Sequence, residues 1–134
     1  MKKSFTILTA LLLILSLTSC EKDEGKLPNI NFIPGADYTY VSKSIGQGTS
    51  FKIGINASKA EDKDVLKKFN ISRSTNGAAA VSIFNKDLSG SEGDSYTYDY
   101  TGFADSIPGQ TDKYTFTVTN RDGLTNQVSL TLTV

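Results

Sequence analysis

The chain has 134 residues, 14 basic and 14 acidic side chains, one Cys, and neither His nor Trp. That length suits one domain. The missing His removes Ser-His-Asp triads, Cys-His pairs and imidazole metal sites, and a single Cys removes intramolecular disulfides and cysteine-based zinc sites. A formal net charge of zero leaves no broad basic face for a phosphate backbone, so nucleic acid is not an expected partner. No cofactor or metal is expected either.

Lys2 and Lys3 precede an apolar run from Phe5 to Leu17 that only Thr6, Thr9 and Ser16 interrupt, followed by the small residues Thr18 and Ser19. This is the charged, apolar and small-residue order of a secretory signal. It is too short to cross a hydrocarbon core comfortably, for which roughly 20 apolar residues are needed. Leu17-Thr18-Ser19-Cys20 resembles the lipobox of bacterial lipoproteins, in which a peptidase cuts before a Cys whose thiol carries diacylglycerol. The resemblance implies that residues 1–19 are removed and that Cys20 is lipidated, which would consume the sole thiol. Each buried CH₂ of an acyl chain contributes ~0.8 kcal/mol, so two or three chains hold a small domain on a membrane.

Glu21-Lys22-Asp23-Glu24 resembles the acidic export signal of surface-displayed lipoproteins in Bacteroidota-type Gram-negative bacteria. It implies an outer-membrane partner through the lipid anchor and display at the cell surface, with the periplasmic face as the other option. Residues 20–28 read as a hydrophilic tether ended by Gly25 and Pro28.

From Asn29 to Val134 apolar residues alternate with polar ones, and Thr, Val, Ile, Tyr and Phe prevail, the pattern of half-buried strands. Strands are expected at residues 30–33, 38–43, 50–56, 69–74, 79–84 and 95–101, then at 114–119 and 128–134. The last two are joined by the turn Asn120-Arg121-Asp122-Gly123. Ser58 and Glu61 have capping-box spacing, and Val65, Leu66 and Phe69 can share a helical face, so one short helix is expected at about 58–68. Its charges read as a solvated face.

The fold class that follows is all-β, a single antiparallel sandwich of about seven to eight strands with that helix. Residues 112–123 and the strand after them resemble the last hairpin of immunoglobulin-like domains of the polycystic-kidney-disease and cadherin-like types. This likeness implies that Tyr114 is a corner tyrosine whose hydroxyl bonds to nearby backbone.

Tyr96, Tyr98 and Tyr100 alternate with Thr97, Asp99 and Thr101, a row of rings on one face. The row is a candidate platform for the apolar faces of sugars, although the simpler reading turns it into the core. Tyr38 and Tyr40 pose the same choice. Carboxylates are the remaining acid/base candidates: Asp62 with Asp64, Glu92 with Asp94, and Asp99. Glycoside hydrolysis would need two of them ~5 to 10 Å apart with one pKa raised by burial, and nothing in the sequence signals burial. Ser89 to Ser95 reads as a mobile loop whose oxygens could ligate Ca²⁺, without EF-hand spacing. Gly46-Gln47-Gly48 precedes a strand and is a turn, not a phosphate loop. Asp105-Ser106-Ile107 resembles the O-glycan acceptor of exported Bacteroidota proteins and makes Ser106 a candidate glycosylation site.

The expectation is therefore a non-enzymatic cell-envelope lipoprotein that acts as a binding or spacer module with a glycan or protein partner. The alternatives are an accessory glycan-binding lipoprotein of a polysaccharide-uptake system, and a small hydrolase inhibitor that uses residues 89–95 and 102–110 as a wedge.

Overall fold

The computed structural model describes residues 24–134. Cys20, the signal segment and the first acids of the tether lie outside the described residues. Eight strands form two sheets: β1 (Asn29–Phe32), β2 (Lys43–Ser44), β3 (Ser50–Ser58), β4 (Leu66–Thr75), β5 (Val81–Asp87), β6 (Ser95–Phe103), β7 (Thr111–Asn120) and β8 (Thr125–Thr133). One sheet has the order β1-β3-β6 and the other β2-β8-β7-β4-β5. All pairings are antiparallel except β2 with β8. The chain changes sheets between β1 and β2, β2 and β3, β3 and β4, β5 and β6, and β6 and β7. This is an immunoglobulin-like β-sandwich.

The core is what the alternation dictates. Phe51, Ile53, Ile55 and Ala57 of β3 meet Phe69 and Ile71 of β4, Tyr114, Phe116 and Val118 of β7, and Leu130 and Leu132 of β8, all buried. Phe69 is the hub: its ring lies 5.2 Å from Tyr96, 5.6 Å from Tyr98, 6.2 Å from Phe84 and 6.4 Å from Phe116. These are distances at which edge-to-face and offset rings attract beyond their buried area.

The helix expected at 58–68 is absent. Ser58 ends β3, residues 59–65 turn, and Leu66 begins a ten-residue strand. The apolar spacing that mimicked a helix comes from a register shift between Leu66 and Lys68 against β7. The extra residue of this bulge lets Leu66 and Phe69, three apart, both face inward. The capping arrangement instead occurs at Ser89 and Glu92, where a single 3-10 turn spans Gly90–Gly93 and the Glu92 carboxylate accepts the Ser89 N–H at 3.2 Å. The segment read as a mobile loop is thereby pinned, with Lys86 paired to Glu92.

The strand expected at 38–43 shrinks to Lys43–Ser44. The preceding residues run beside β3 through isolated bonds, Ile33 N–H to Gly54 O and Thr39 N–H to Lys52 O. The terminal hairpin forms as expected, with Gly123 at φ +80° and its N–H donating to Asn120 O at 3.1 Å.

Candidate functional site

Register divides the sandwich into two poles. At one, Asn29 pairs with Ser58, Ser58 with Ser95, and Leu66 with Asn120. The chain enters there, so this is the proximal pole. At the other, Ser50 pairs with Phe103, Arg73 with Val81, and Thr75 with Asp112. This distal pole also carries the loops 33–42, 76–80 and 104–110.

The proximal pole is closed by a polar hub. Asn120, buried, donates from Nδ2 to Asp64 Oδ2 at 2.8 Å and to Lys26 O at 3.2 Å, while its Oδ1 accepts the N–H groups of Asp122 and Leu124. Asn126 Nδ2 donates to Pro28 O at 2.9 Å, and Pro28 is buried. The last residues of the expected tether are thus clasped to the body. Asp64, also buried, accepts Val65 N–H at 2.7 Å as well.

The distal pole is closed by a charged network. Asp112, buried, accepts from Thr75 Oγ1 at 2.5 Å and from Gln110 Nε2 at 3.1 Å, and Arg73 Nε lies 3.9 Å away. Gln110 Nε2 also donates to Asp105 at 2.9 Å. The Tyr114 hydroxyl, which the corner-tyrosine likeness would turn to backbone, interacts with Arg73 and Tyr100. Burial chiefly, with the neighbouring Tyr100, pushes Tyr114 up to about 12. Its hydrogen bond to Tyr114 raises Arg73 further.

The tyrosine row lies inward. Tyr96 is buried and Tyr98 and Tyr100 are half-buried. Tyr98 stacks on Phe84 at 4.7 Å, Tyr96 and Tyr98 stack at 6.2 Å, and Tyr100 lies 5.5 Å from Tyr114. Their faces are occupied by other rings, so Tyr96, Tyr98 and Tyr100 do not make a sugar platform; a sandwich one side chain thick needs them as core.

The carboxylates are dispersed among partners. Asp94 pairs with Lys59 at 2.7 Å and Glu92 with Lys86, while Asp99 accepts the Tyr38 hydroxyl at 3.2 Å. Glu92 is lowered, first by its bond to Lys86, and Asp105 is lowered, first by Gln110. Carboxyls shifted in that direction shed their protons more readily, the opposite of a general acid. Among the described residues no three His, Cys, Asp or Glu side chains gather to hold a metal ion. No helix of the described residues is long and apolar enough to cross a membrane.

The loops 89–95 and 102–110 sit at opposite ends of β6, separated by its eight residue steps, roughly 26 Å. They cannot form one wedge. Ser106 is exposed in the distal loop, its N–H bonded to Asp105.

Of the side chains that do converge, only Tyr38 was among the sequence candidates, with Asp99 beside it. On the outer face of the three-stranded sheet an open depression of about 540 Å³ lies among Asp37, Tyr38, Lys43, Lys52, Thr101 and Phe103. Phe103 is 75% exposed. The Tyr38 ring lies on Gly54, where an added Cβ would come within 2.6 Å of it, and Lys52 Nζ stands 4.8 Å from its centroid.

No family model matches the sequence, and no curated protein matches it. Solved structures share its shape. Two structures of superoxide reductase (neelaredoxin) from Ignicoccus hospitalis resemble it. One, a form carrying a single substitution, has a TM-score of 0.55 at 7% identity, covering 81% of this chain and 79% of that one. The other has 0.53 at 8%, covering 81% and 80%. The sporulation control protein Spo0M of Bacillus subtilis reaches a TM-score of 0.48 at 8% identity, over 81% of this chain and 50% of its own. At such identities the likeness is one of fold.

Proposed function

We propose that this chain is a non-enzymatic lipoprotein of the cell envelope. In this reading it is anchored in the outer membrane through a lipid on Cys20, displayed at the cell surface, and presents its distal pole to a binding partner. The observation that carries the reading is an asymmetry. Of the large apolar side chains exposed among the described residues, Tyr40, Val41, Val81, Ile83, Phe103 and Ile107 lie in the distal half, and Leu27 alone lies beside the chain entry. The distal ones belong to both sheets and the distal loops and do not form one continuous patch, so what supports the reading is their bias toward the end away from the chain entry.

The proximal clasp supports the same orientation. After the proposed cut, the five residues from Cys20 to Glu24 precede Gly25, a reach of at most about 18 Å at ~3.6 Å per residue. A lipid on Cys20 therefore keeps the polar proximal pole near the headgroups, and the apolar groups point outward, about 30 Å further along strands of nine and ten residues. The lowered Glu92 and Asp105 and the engagement of Asp94, Asp99 and Asp112 with neighbouring side chains support a role without acid catalysis.

The test is made in the native host. Intact mass of the purified protein is expected to show a chain that starts at Cys20 and carries acyl groups, which Cys20→Ala abolishes. Proteinase treatment of whole cells is expected to remove the domain. A chain that retains Met1 and a free thiol would refute anchoring, and protection from the proteinase in intact cells would refute surface display.

A further inference from the structure

We infer that the depression between Tyr38 and Phe103 binds a pyranose unit of an acidic polysaccharide. The inference rests on the reading of the distal pole as a binding surface and names its ligand class.

A pyranose offers one apolar C–H face and a rim of hydroxyls, so its site needs an exposed ring and polar groups at fixed positions around it. Phe103 supplies the ring. It is the last residue of β6, on the outward side of the sheet with Thr101 and Asp99, opposite Ser50, and its side chain projects into solvent. A phenyl ring carries few rotatable bonds, so little entropy is lost when a ligand fixes it.

Tyr38 forms the second wall and is held in advance. Gly54 leaves room beneath its ring, Asp99 accepts its hydroxyl at 3.2 Å, and the Lys52 ammonium stands over its face. The lining also includes the polar residues Ser50, Thr101 and Asp37. Its volume of about 540 Å³ falls within the usual range of small-ligand sites, ~300 to 1,000 Å³.

The charge selects among glycans. Lys43 and Lys52 both line the depression and neither is ion-paired among the described residues, while Asp37 is its one acidic lining residue. Asp99 stands outside the lining and is taken up by the Tyr38 hydroxyl, so the two ammonium groups face Asp37 alone within the depression, which favours a sugar that carries a carboxylate or sulfate over a neutral one. A protein partner fits less well, because the rings are separated by polar groups and do not form a continuous apolar patch.

Affinity electrophoresis of the full chain in non-ionic detergent, in gels containing polygalacturonate or alginate and in parallel gels containing xylan or dextran, tests the inference. Retardation is expected in the acidic gels and should fade as salt rises. Phe103→Ala is expected to weaken it about tenfold, the equivalent of one well-placed contact. Gly54→Ala, whose methyl would displace the Tyr38 ring, should act similarly, and Lys52→Met should weaken it several-fold. Lys67→Ala, at an exposed position on β4, should leave it unchanged. Thermal unfolding of each variant reports whether the fold is kept.

Absence of retardation in the acidic gels overturns the inference, as does retardation that survives both Phe103→Ala and Gly54→Ala. Equal retardation by xylan overturns the assignment to acidic glycans, and an equal loss with Lys67→Ala overturns the site in favour of charge attraction alone. The acyl mass of the same preparation reports the anchor separately, so a failure here and a failure of the lipoprotein reading are told apart.

Discussion

Asn120→Ala is the most informative perturbation of the fold, because one side chain closes the proximal pole. The substitution deletes two donated bonds, to Asp64 Oδ2 and Lys26 O, and two accepted ones, from Asp122 N–H and Leu124 N–H. Neutral bonds contribute about 1 kcal/mol each net, and the bond to a charged carboxylate about 1.5 to 3 kcal/mol. Asp122 lies in an exposed turn, so water replaces part of that loss. Asp64 is only 2% exposed and is left with the Val65 N–H. The expected cost is about 3 to 5 kcal/mol, a large share of the roughly 5 to 15 kcal/mol that holds an ordinary domain together. Urea denaturation measures the total, and hydrogen exchange of residues 25–28 reports whether the entering chain is released. Asn120→Asp adds a second acid beside Asp64, so its deficit should shrink as pH falls into the carboxylate range. A loss below about 1 kcal/mol, with unchanged exchange at 25–28, would show that the clasp is incidental to the fold.

Three further outcomes follow from the core and the titrating groups. Phe69→Ala removes the ring that joins Tyr96, Tyr98, Phe84 and Phe116 and should cost about 3 to 5 kcal/mol in urea; a value below about 2 kcal/mol would mean that the aromatic cluster does not hold the sheets together. Tyr114, pushed up to about 12 when folded, keeps its proton after an unfolded tyrosine has lost it at about 10. Its contribution is therefore full below pH ~10 and falls away as pH rises toward ~12, a decline in melting temperature that Tyr114→Phe should flatten. Glu92, lowered by Lys86 and the Ser89 N–H, contributes stability above the ordinary carboxylate range that is lost as pH falls through its folded value. Lys86→Met should make the acid limb of the stability profile shallower, and an unaltered limb would show that the pair is energetically silent.

Legibility tracked how local the signal was. The alternation of Tyr114, Phe116 and Val118 and of Leu130 and Leu132 requires nothing beyond two-residue periodicity, and those strands lie within a few residues of their expected ends. The inward turn of the tyrosine row follows from the same periodicity once Asp99 is placed outside. The spurious helix shows where periodicity misleads, since a bulge that adds one residue gives Leu66 and Phe69 a spacing a helix would also give. The hairpin between β4 and β5 carries its signal in the sequence as Asn76-Gly77. Asn76 and Gly77 both take positive φ, and Ala78 N–H bonds back to Thr75 O, which is what an Asn-Gly turn between strands demands. Of the candidate site the sequence offered only Tyr38, without its neighbours. Tyr38 meets Gly54 and Asp99, and Phe103 meets the depression at a strand end, only through pairings across tens of residues.

The two poles are closed by different means, and this difference has an energetic consequence. At the distal end Asp112, Gln110, Asp105 and Arg73 satisfy one another, so the interior is sealed without Phe103 or Ile107. Burying such a side chain fully would yield about 1.5 to 3 kcal/mol, and the fold forgoes that at 75% exposure for Phe103 and 57% for Ile107. A bound ligand can recover it. Because the clasp at Asn120 lies a full strand length away and shares no partner with Phe103, stability and ligand affinity should be separable, within the ~0.3 to 0.5 kcal/mol to which distant substitutions add. In the variant carrying both Asn120→Ala and Phe103→Ala, unfolding free energy should match that of Asn120→Ala alone, and ligand affinity at temperatures where the protein stays folded should match that of Phe103→Ala alone. A coupling above about 1 kcal/mol in either measurement would mean that the poles communicate through the sandwich and that anchoring and binding are not independent.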